Sequence, residues 1–159
     1  FIKQRRVSKG DIINVWKFRS MVKDAERLRE DLKDKNERND GPFFKITNDP
    51  RVTKVGRFLR KTRIDEFPQF INVLKGEISL VGPRPHEPEE ILEYPQKYKY
   101  LALEKGGITC LSQITGSPYL PFKKEMELDV HYAKNRSLWM DTKIIAKTAK
   151  IIFTKRNGI

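Results

Sequence analysis

The sequence contains very few residues that form disulfides or bind soft metals. One cysteine and two histidines occur in 159 residues, so an internal disulfide framework and the usual zinc clusters are excluded. Cys110 is interpreted as a small core side chain, and His86 and His131 as surface or structural residues. The longest apolar run, 100–103, is far shorter than the roughly 18 residues that predict a membrane-spanning helix. Walker, dinucleotide-binding, H-E-x-x-H and D-x-D motifs are all missing, so the common nucleotide-binding and metallohydrolase classes are not indicated.

Positive charge is what the sequence has in excess. Lysine and arginine number 33 against 21 acidic residues, which gives a net charge of +12, and 38% of the residues are hydrophobic. The length and composition predict one domain over 1–159 with a modest core. The surplus predicts an anionic partner, and it is concentrated in 51–63, which has six cations and no acid. In 16–19, aromatic and basic residues alternate, so a strand there would project Lys17 and Arg19 from one face.

Hydrophobic periodicity predicts an α+β fold that is mostly helical with a small irregular sheet. The mixed charges of 24–40 predict a solvated helix or a mobile excursion outside the core. Asp49-Pro50 supplies a helix start signal for the cationic segment. The predicted extended runs are 12–18, 78–81 and 108–114, and the predicted helices are 51–63, 65–76, 88–103, 122–134 and 138–155.

The acidic pair Asp65-Glu66 follows the cationic segment 51–63. At a helix start the pair has an ordinary structural interpretation, because aspartate is a favoured N-cap and glutamate is favoured in the first turn. The preceding cations favour a second interpretation, since a carboxylate that attacks a phosphate needs cations to neutralise the approaching anion. Two adjacent carboxylates also suit Mg²⁺, which takes one or two acidic oxygens together with phosphates and water.

The segment 82–85, Gly-Pro-Arg-Pro, predicts a rigid loop. Two prolines forbid regular structure, and Pro85 disfavours the helical region for Arg84. An ordinary exposed turn is one interpretation. A guanidinium held in this way is also preorganised to bind a phosphate through two hydrogen bonds.

Five segments taken in order resemble the bacterial sugar transferase family, the monotopic polyprenyl-phosphate phosphoglycosyl transferases. The resemblance covers nearly the whole chain and is most specific over 57–85. It implies a membrane-associated catalytic domain, with an N-terminal membrane-embedded segment that would precede Phe1. The segments are Lys17-Phe18-Arg19-Ser20-Met21, Asp49-Pro50-Arg51 through Gly56-Arg57-Phe58-Leu59-Arg60-Lys61-Thr62, Ile64-Asp65-Glu66-Phe67-Pro68-Gln69, Asn72-Val73-Leu74-Lys75-Gly76 and Ser79-Leu80-Val81-Gly82-Pro83-Arg84-Pro85.

The resemblance implies a specific reaction and a site. A sugar 1-phosphate passes from a nucleotide diphosphate sugar, usually a UDP-sugar, to undecaprenyl phosphate with release of UMP, at the cytoplasmic face of the bacterial inner membrane. By resemblance, Asp65 is the nucleophile that forms an aspartyl phosphosugar intermediate, and Glu66 is its partner at a magnesium ion. A carboxylate nucleophile divides the transfer into two steps and predicts ping-pong kinetics. The candidate phosphate-binding residues are Arg60, Arg84, Arg63, Lys17 and Arg19.

One segment departs from the family pattern. Many members carry Pro-Gly-Ile-Thr-Gly-Trp-Ala-Gln-Val-x-Gly-Arg-Asn where this chain has 106–118, and Ser117 and Pro118 replace the expected arginine and asparagine. The resemblance associates this segment with donor recognition. The sugar and the nucleotide of the donor are therefore left open. The candidate donor-recognition residues are Thr109, Gln113 and Gly116.

Several alternatives stay open on the sequence. The basic helix 138–155 is either a core helix with solvated lysines or a helix that lies on anionic lipid. The chain could also be a basic nucleic-acid-binding module, or a catalytically silent membrane-surface scaffold in which Ser117-Pro118 marks a lost donor site. Our expectation is an anionic membrane surface and no nucleic acid as partner, with homo-oligomer formation left open.

Overall fold

A computed structural model describes residues 1–116 and 119–154 of the chain. Within these residues the α+β class is confirmed, with helices predominating, but the strands form two separate two-stranded sheets. The strands are β1 (Ile2–Ser8), β2 (Asp11–Lys17), β3 (Ser79–Val81) and β4 (Gly107–Thr109). The α-helices are α1 (Arg27–Glu30), α2 (Lys54–Lys61), α3 (Gln69–Leu74), α4 (Pro88–Leu92), α5 (Leu111–Thr115), α6 (Phe122–Asn135) and α7 (Leu138–Thr154), and 3₁₀ segments cover Lys33–Lys35, Ile64–Glu66 and Gln96–Leu103.

β1 and β2 form an antiparallel hairpin in which Ile2 pairs with Lys17. Its two-residue turn, Lys9-Gly10, has φ values of 56° and 80°, as a tight hairpin turn requires. The predicted strand 12–18 is confirmed to within one residue at each end. β1 was not predicted, because its polar and basic residues carry little apolar alternation.

Asn72 joins α3 to the middle of β2. Its side chain is fully buried at 0% exposure. Its Nδ2 donates to the carbonyl of Asn14 at 2.8 Å, and its Oδ1 accepts the N–H of Trp16 at 3.0 Å. These two bonds replace strand-to-strand pairing on that edge of β2, so they fix how α3 lies against the hairpin.

The cationic helix α2 begins later than the sequence predicts. Its N-cap is Thr53, whose hydroxyl accepts the N–H of Gly56 at 2.9 Å. Asp49 instead forms an ion pair with Arg51 at 2.7 Å. The helix start predicted at Asp49-Pro50 was therefore wrong. The carboxylate of Asp49 is occupied by Arg51, and Thr53 is the N-cap instead.

The extended run predicted over 108–114 is wrong in its second half. β4 pairs in parallel with β3, and the chain then turns directly into α5. The side chain of Gln113 accepts the N–H of Cys110 at 3.2 Å and so stabilises the helix start. The pattern of apolar residues could not reveal this, because α5 has only five residues.

An aromatic core fills the space under α6. The predicted helix 88–103 is split at Pro95 into α4 and the 3₁₀ segment, and both contribute to this core. Cys110 is buried as predicted, and His86 is buried against the ring of Phe43 at 4.4 Å between centroids. The core residues are Phe43, Tyr94, Tyr98, Leu101, Phe122 and Met126.

The segment 24–40, predicted to lie outside the core, contacts the core through its last residues. α1 and the following 3₁₀ turn contain no buried residue, but Arg38 forms a buried ion pair with Glu125 of α6 at 2.8 Å. The carboxylate of Asp40 also accepts the N–H of Phe122, the first residue of α6. The excursion is therefore anchored to the core at its end.

α6 and α7 confirm the two predicted C-terminal helices over the described residues. Ile144 of α7 packs in a second core cluster with Val81 and Tyr132, so one side of α7 is a core helix. Leu138 and Trp139 are largely exposed on the same helix, and the lipid-surface interpretation stays a prediction. In the part of the chain that is described, no helix has the length and apolarity to span a bilayer.

Candidate functional site

Asp65 lies in the short 3₁₀ segment Ile64–Glu66, between α2 and α3. This corrects the expectation of a helix over 65–76 that the pair opens, since α3 begins at Gln69 with Pro68 in the N-cap position. Proline suits the start of a helix because it has no N–H that would need a partner. No side chain caps the 3₁₀ segment, so capping does not explain the pair.

The backbone around Asp65 is tied to the end of β2. The carbonyl of Asp65 accepts the N–H of Phe18 at 3.0 Å. Arg63, just before the segment, has a left-handed φ of 59°, which is uncommon for a residue with a side chain. A sharp turn therefore brings the carboxylate pair back to the strand that carries Lys17.

Glu66 and Lys17 form a largely buried ion pair. Nζ of Lys17 lies 3.4 Å from Oε1 of Glu66. Burial alone would raise the pKa of Glu66, but the charges of Lys17, Arg84 and Arg63 outweigh it and hold the pKa below its ordinary value. Burial lowers the pKa of Lys17. Glu66 is therefore held as a carboxylate, which can only accept hydrogen bonds or bind a cation.

Asp65 is in a different electrostatic state from its neighbour. Its side chain is 8% exposed. Burial raises its pKa above the usual range, and the charge of Glu66 adds to the effect, while Lys17, Arg60 and Arg63 oppose it. Two neighbouring carboxyl groups whose pKa values are moved in opposite directions are suited to different chemical roles.

Arg60 is held beside this pair by a hydrogen bond to Ser20. Its Nε donates to the Ser20 hydroxyl at 2.9 Å. The two segments approach closely because Gly56 lacks a side chain, since a Cβ there would lie 1.8 Å from the carbonyl oxygen of Ser20. Burial lowers the pKa of Arg60, and the charge of Asp65 is the largest influence against this. Arg60 thus acts electrostatically on Asp65.

Arg84 is fixed by the backbone of its loop. Gly82 donates its N–H to Thr109 at 3.1 Å, and the carbonyl of Pro83 accepts the N–H of Gly107 at 2.9 Å. The backbone of Arg84 lies beside the carboxylate of Asp129 on α6 and lowers the pKa of that group, against the larger effect of burial. Burial opposes the charged form of Arg84, but Glu66 holds its pKa above the ordinary value. The guanidinium is therefore committed to the Glu66 side of the loop.

A small cavity lies between β2, the carboxylate pair and the loop of Arg84. Four predicted site residues line it together with Arg6 and Gln69. Its free volume is about 20 Å³, which holds a water molecule or an ion but not a diphosphate. Asp65 does not line this cavity and is linked to it through charge. The four predicted residues at its wall are Lys17, Glu66, Arg84 and Gln113.

The structure does not bring every predicted residue to this cavity. The hydroxyl of Thr109 lies 2.6 Å from that of Thr148 on α7, and Gly116 ends α5 with a φ of 147°. Arg19 is exposed, and no ion pair or hydrogen bond joins it to the carboxylate pair within residues 1–116 and 119–154. Ser117 and Pro118 lie outside the described residues. Arg60 and Arg63 do not line the cavity either. The roles of all the predicted site residues stay predictions.

Arg6 and Gln69 are two cavity residues that sequence reasoning missed. Arg6 forms an ion pair with Glu87 at 2.8 Å and its charge reaches Lys17. Gln69 is buried and opens α3. Recognition of β1 as the partner of β2 would have pointed to Arg6, whereas nothing in the local pattern distinguishes Gln69 from a surface glutamine.

The carboxylate pair is the candidate ligand set for magnesium. In the described ranges, no group of three or more histidine, cysteine or acidic side chains is gathered in one place. Mg²⁺ usually takes one or two carboxylates and completes its six ligands with phosphate oxygens and water. The contact of Lys17 uses Oε1 of Glu66. Asp65 and Glu66 therefore fit this ion when a phosphate substrate supplies the remaining ligands.

The family model for the bacterial sugar transferase matches residues 1–155. The chain is similar to the galactosyl transferase CpsE of Streptococcus agalactiae, with 46% identity over 94% of this chain and 33% of that protein. It is 41% identical to the undecaprenyl-phosphate galactose phosphotransferase of Salmonella typhimurium, over 98% of this chain and 33% of that protein.

A third relative carries a further substrate in its name. The UDP-glucose:undecaprenyl-phosphate glucose-1-phosphate transferase of Escherichia coli is 43% identical, over 87% of this chain and 29% of that protein. The chain spans about a third of the length of these relatives. The likeness therefore concerns one segment of each of these longer proteins.

Proposed function

The chain belongs to the bacterial sugar transferase family, and on that premise we propose that it provides the catalytic part of a sugar-1-phosphate transferase. The donor is a nucleotide diphosphate sugar of the UDP class, and the acceptor is undecaprenyl phosphate. The names of the Escherichia coli and Aeromonas hydrophila relatives support both substrates, with UDP-glucose in one and UDP-N-acetylgalactosamine in the other. Because those sugars differ, the sugar of this chain is left unassigned.

The observation that carries this proposal is the placement of the buried carboxylate pair among an excess of cations. Asp65 and Glu66 are influenced by Lys17, Arg60, Arg63 and Arg84. Four cations against two carboxylates leave a local surplus of positive charge. Such a surplus favours a bound anion and stabilises the charge that develops during phosphoryl transfer.

In the first step the ionised carboxylate of Asp65 attacks the phosphorus that bears the sugar. A bond forms between a carboxylate oxygen and phosphorus, and the bond from that phosphorus to the bridging oxygen breaks. The leaving group is UMP, and the product is an aspartyl phosphosugar. The raised pKa of Asp65 makes its carboxylate a stronger base, and we expect Arg60 and Arg63 to help hold the reactive carboxylate form.

In the second step a phosphate oxygen of undecaprenyl phosphate attacks the same phosphorus. The bond from phosphorus to Asp65 breaks, the carboxylate is regenerated, and the lipid diphosphate sugar is released. The same cations serve both half-reactions in turn, because donor and acceptor each bring a phosphate to Asp65. Transfer through a covalent intermediate predicts ping-pong kinetics.

Glu66 has a separate role in this proposal. Its lowered pKa keeps it ionised beside Lys17 and Arg84, so it is suited to hold a divalent cation. Mg²⁺, when bound, supplies positive charge against the phosphates of the substrate. We expect the diphosphate to bind outside the small cavity, because its free volume of about 20 Å³ cannot hold a diphosphate.

We further propose that the protein works at the cytoplasmic face of the bacterial inner membrane. Exposed apolar side chains are concentrated in the segment of α2 and α3, where they alternate with exposed cations such as Lys54 and Arg57. Apolar side chains beside basic ones favour the boundary of an anionic bilayer. We call this surface the α2–α3 apolar surface; its members are Val55, Phe58, Phe67, Phe70 and Leu74.

The experiment that tests the reaction measures UMP release by the full-length protein. A panel of UDP-sugars is offered with undecaprenyl phosphate and Mg²⁺, and the expected result is UMP release with at least one donor. One control offers the same sugars on GDP. A second control is the Asp31→Asn variant, which removes one negative charge from an exposed aspartate far along the sequence from Asp65. Absence of UMP release with every UDP-sugar overturns the proposal.

A further inference from the structure

A second small cavity lies behind Arg84, on the side of the loop that faces the aromatic core. Its free volume is about 10 Å³, close to the space that one water molecule needs. Arg84 lines both this cavity and the one beside Glu66. The residues of its wall that matter here are Pro83, Arg84, His86, Tyr94, Met126 and Asp129.

His86 presents a buried hydrogen-bond acceptor in this region. Its Nδ1 lies 3.4 Å from Oε2 of Glu90. Burial lowers the pKa of His86, so the ring is neutral, and the proton on Nδ1 can be donated to the Glu90 carboxylate. Nε2 is then an acceptor. Within the described ranges no protein group reaches this buried atom.

Tyr94 presents a buried donor to the same region. Its side chain is 4% exposed, and its ring centroid is 5.9 Å from that of His86. Burial raises the pKa of Tyr94, which keeps the hydroxyl proton in place. Among the residues that the structure describes, its hydroxyl also has no hydrogen-bond partner. An unpaired buried hydroxyl is costly, so a partner is expected.

Asp129 supplies a further acceptor from α6. It is buried, its carboxyl group accepts the hydroxyl of Ser112 at 3.4 Å, and it lies beside the backbone of Arg84. In the protonated as well as in the ionised form, at least one lone-pair direction of this carboxyl group stays open for a further hydrogen bond. The cavity wall thus offers one hydroxyl donor and two kinds of acceptor.

We propose that this cavity is a specific binding site for one internal water molecule. The water accepts the hydrogen bond of Tyr94 and donates to Nε2 of His86 and to the carboxylate of Asp129. Three partners are typical for a buried water. A water fits better than a metal cation because a neutral histidine and a tyrosine hydroxyl line the cavity, and the hydroxyl is a donor that a cation cannot accept.

This water connects the segment around α4 with α6 directly behind the loop 82–85. Because Asp129 and Arg84 line the same cavity and Asp129 lies beside the backbone of Arg84, the water acts as a positioning group for that arginine. The water site depends on packing and hydrogen bonding, and only the importance of Arg84 rests on the proposed function. Stability, electron density and hydrogen exchange therefore test the water site independently of the reaction.

The first test compares Tyr94→Phe with the matched control Tyr98→Phe in the full-length protein. Tyr98 belongs to the same aromatic core but does not line the cavity. With the water present, Tyr94→Phe removes a hydrogen bond and lowers Tm by roughly 2–4 °C. In a dry cavity the same change would remove an unpaired hydroxyl. A Tm that is unchanged or raised relative to the control therefore overturns the proposal.

The second test looks for the water directly and for its effect on the loop. A crystal structure at about 2 Å resolution or better should show density within hydrogen-bond distance of the Tyr94 hydroxyl and of Nε2 of His86. Hydrogen exchange at the N–H of Arg84 should become faster in Tyr94→Phe and not in Tyr98→Phe. Empty density refutes the site, and equal exchange in both variants refutes the positioning role.

Discussion

Two regions of the molecule bury charged groups, and they do so in opposite ways. In the first, which we call the α6 polar cluster (Arg38, Glu125, Ser112 and Asp129), Arg38 and Glu125 lie 2.8 Å apart and Ser112 donates to Asp129. In the second, around Asp65 and Glu66, the cations outnumber the carboxylates beside an opening. A buried ion pair balances its own charge and needs no ligand to explain it. An excess of buried positive charge, in contrast, indicates that an anionic ligand binds there.

The largest expected effect is the loss of turnover in Asp65→Asn. The amide cannot form the covalent bond to phosphorus, so turnover should fall on the order of 10⁴-fold or more, and no phosphosugar-labelled protein should form. Labelling with donor alone, followed by mass measurement of the intact protein, checks this. UMP release at the normal rate would show that Asp65 is not the nucleophile. The region around Asp65 and Glu66 would then have no catalytic role that distinguishes it from the α6 polar cluster.

The α6 polar cluster should respond to the loss of a charge in stability instead. Arg38→Ala leaves Glu125 buried without that cation, and the free energy of unfolding should fall by about 3–5 kcal/mol. Urea unfolding measures it, with Arg27→Ala, an exposed residue of the same segment, as the control. Turnover per folded molecule should be unchanged. A large loss of turnover at full stability would mean that the cluster also acts on the substrate.

Arg84→Ala tests a residue that belongs to both regions. The charge of Arg84 acts on Glu66, while its backbone lies beside Asp129 of the α6 polar cluster. The side chain is expected to stabilise phosphate charge, so kcat/KM for the donor should fall about 10²-fold. Circular dichroism and Tm should show a folded protein. Arg136→Ala, an exposed arginine with a long ion pair to Glu104, is the control. Unchanged kinetics would exclude Arg84 from the site.

The pH dependence of stability should reveal the buried acid of the cluster. Burial raises the pKa of Asp129 to about 7, so the protonated folded form is favoured, and its stabilisation is lost as the pH rises through 7. Between pH 5 and pH 8 this acid should cost the folded state about 2–3 kcal/mol. Asp129→Asn should remove that decline relative to the wild type, as urea unfolding at several pH values would show. Parallel stability curves for the two proteins would contradict the raised pKa.

The smallest effect is expected at the α2–α3 apolar surface. Leu74 is 89% exposed, so Leu74→Ser should leave the fold intact but weaken binding to vesicles that contain anionic lipid, by about fivefold. Leu92→Ser is the matched control, since Leu92 is also largely exposed but lies on α4. Flotation of the protein with vesicles measures the difference. Equal loss in both variants would assign no special role to the α2–α3 segment.

Several elements could be predicted from the sequence because one residue pattern decided them. α6 and α7 are long and periodic, and β2 is rich in β-branched and aromatic residues. The errors arose where a single side chain decided the outcome. Thr53 capped α2 in place of Asp49, and Gln113 stabilised the start of a helix within an extended-looking run. Such local hydrogen bonds leave little trace in hydrophobic periodicity.

The charged residues of the candidate site were visible in the sequence, but their arrangement was not. The carboxylate pair and the arginines were visible as charge in the sequence, and the motif around Arg84 marked a rigid loop. The partnership of Lys17 with Glu66 depends on the register of a hairpin and on the turn at Arg63. The closeness of Asp129 to Arg84 could not be predicted, because it joins α6 to a loop 45 positions earlier in the sequence.

The hairpin turn Lys9-Gly10 has a consequence for the chemistry at its far end. The pairing of Ile2 with Lys17 sets which side chain of β2 meets Glu66, while the next N–H along the chain holds Asp65. Side chains alternate between the faces of a strand, so a slip by one residue would replace the ammonium group with an aromatic ring. The number of residues in this turn thereby determines whether a lysine is the hairpin's contribution to the cations around the carboxylate pair.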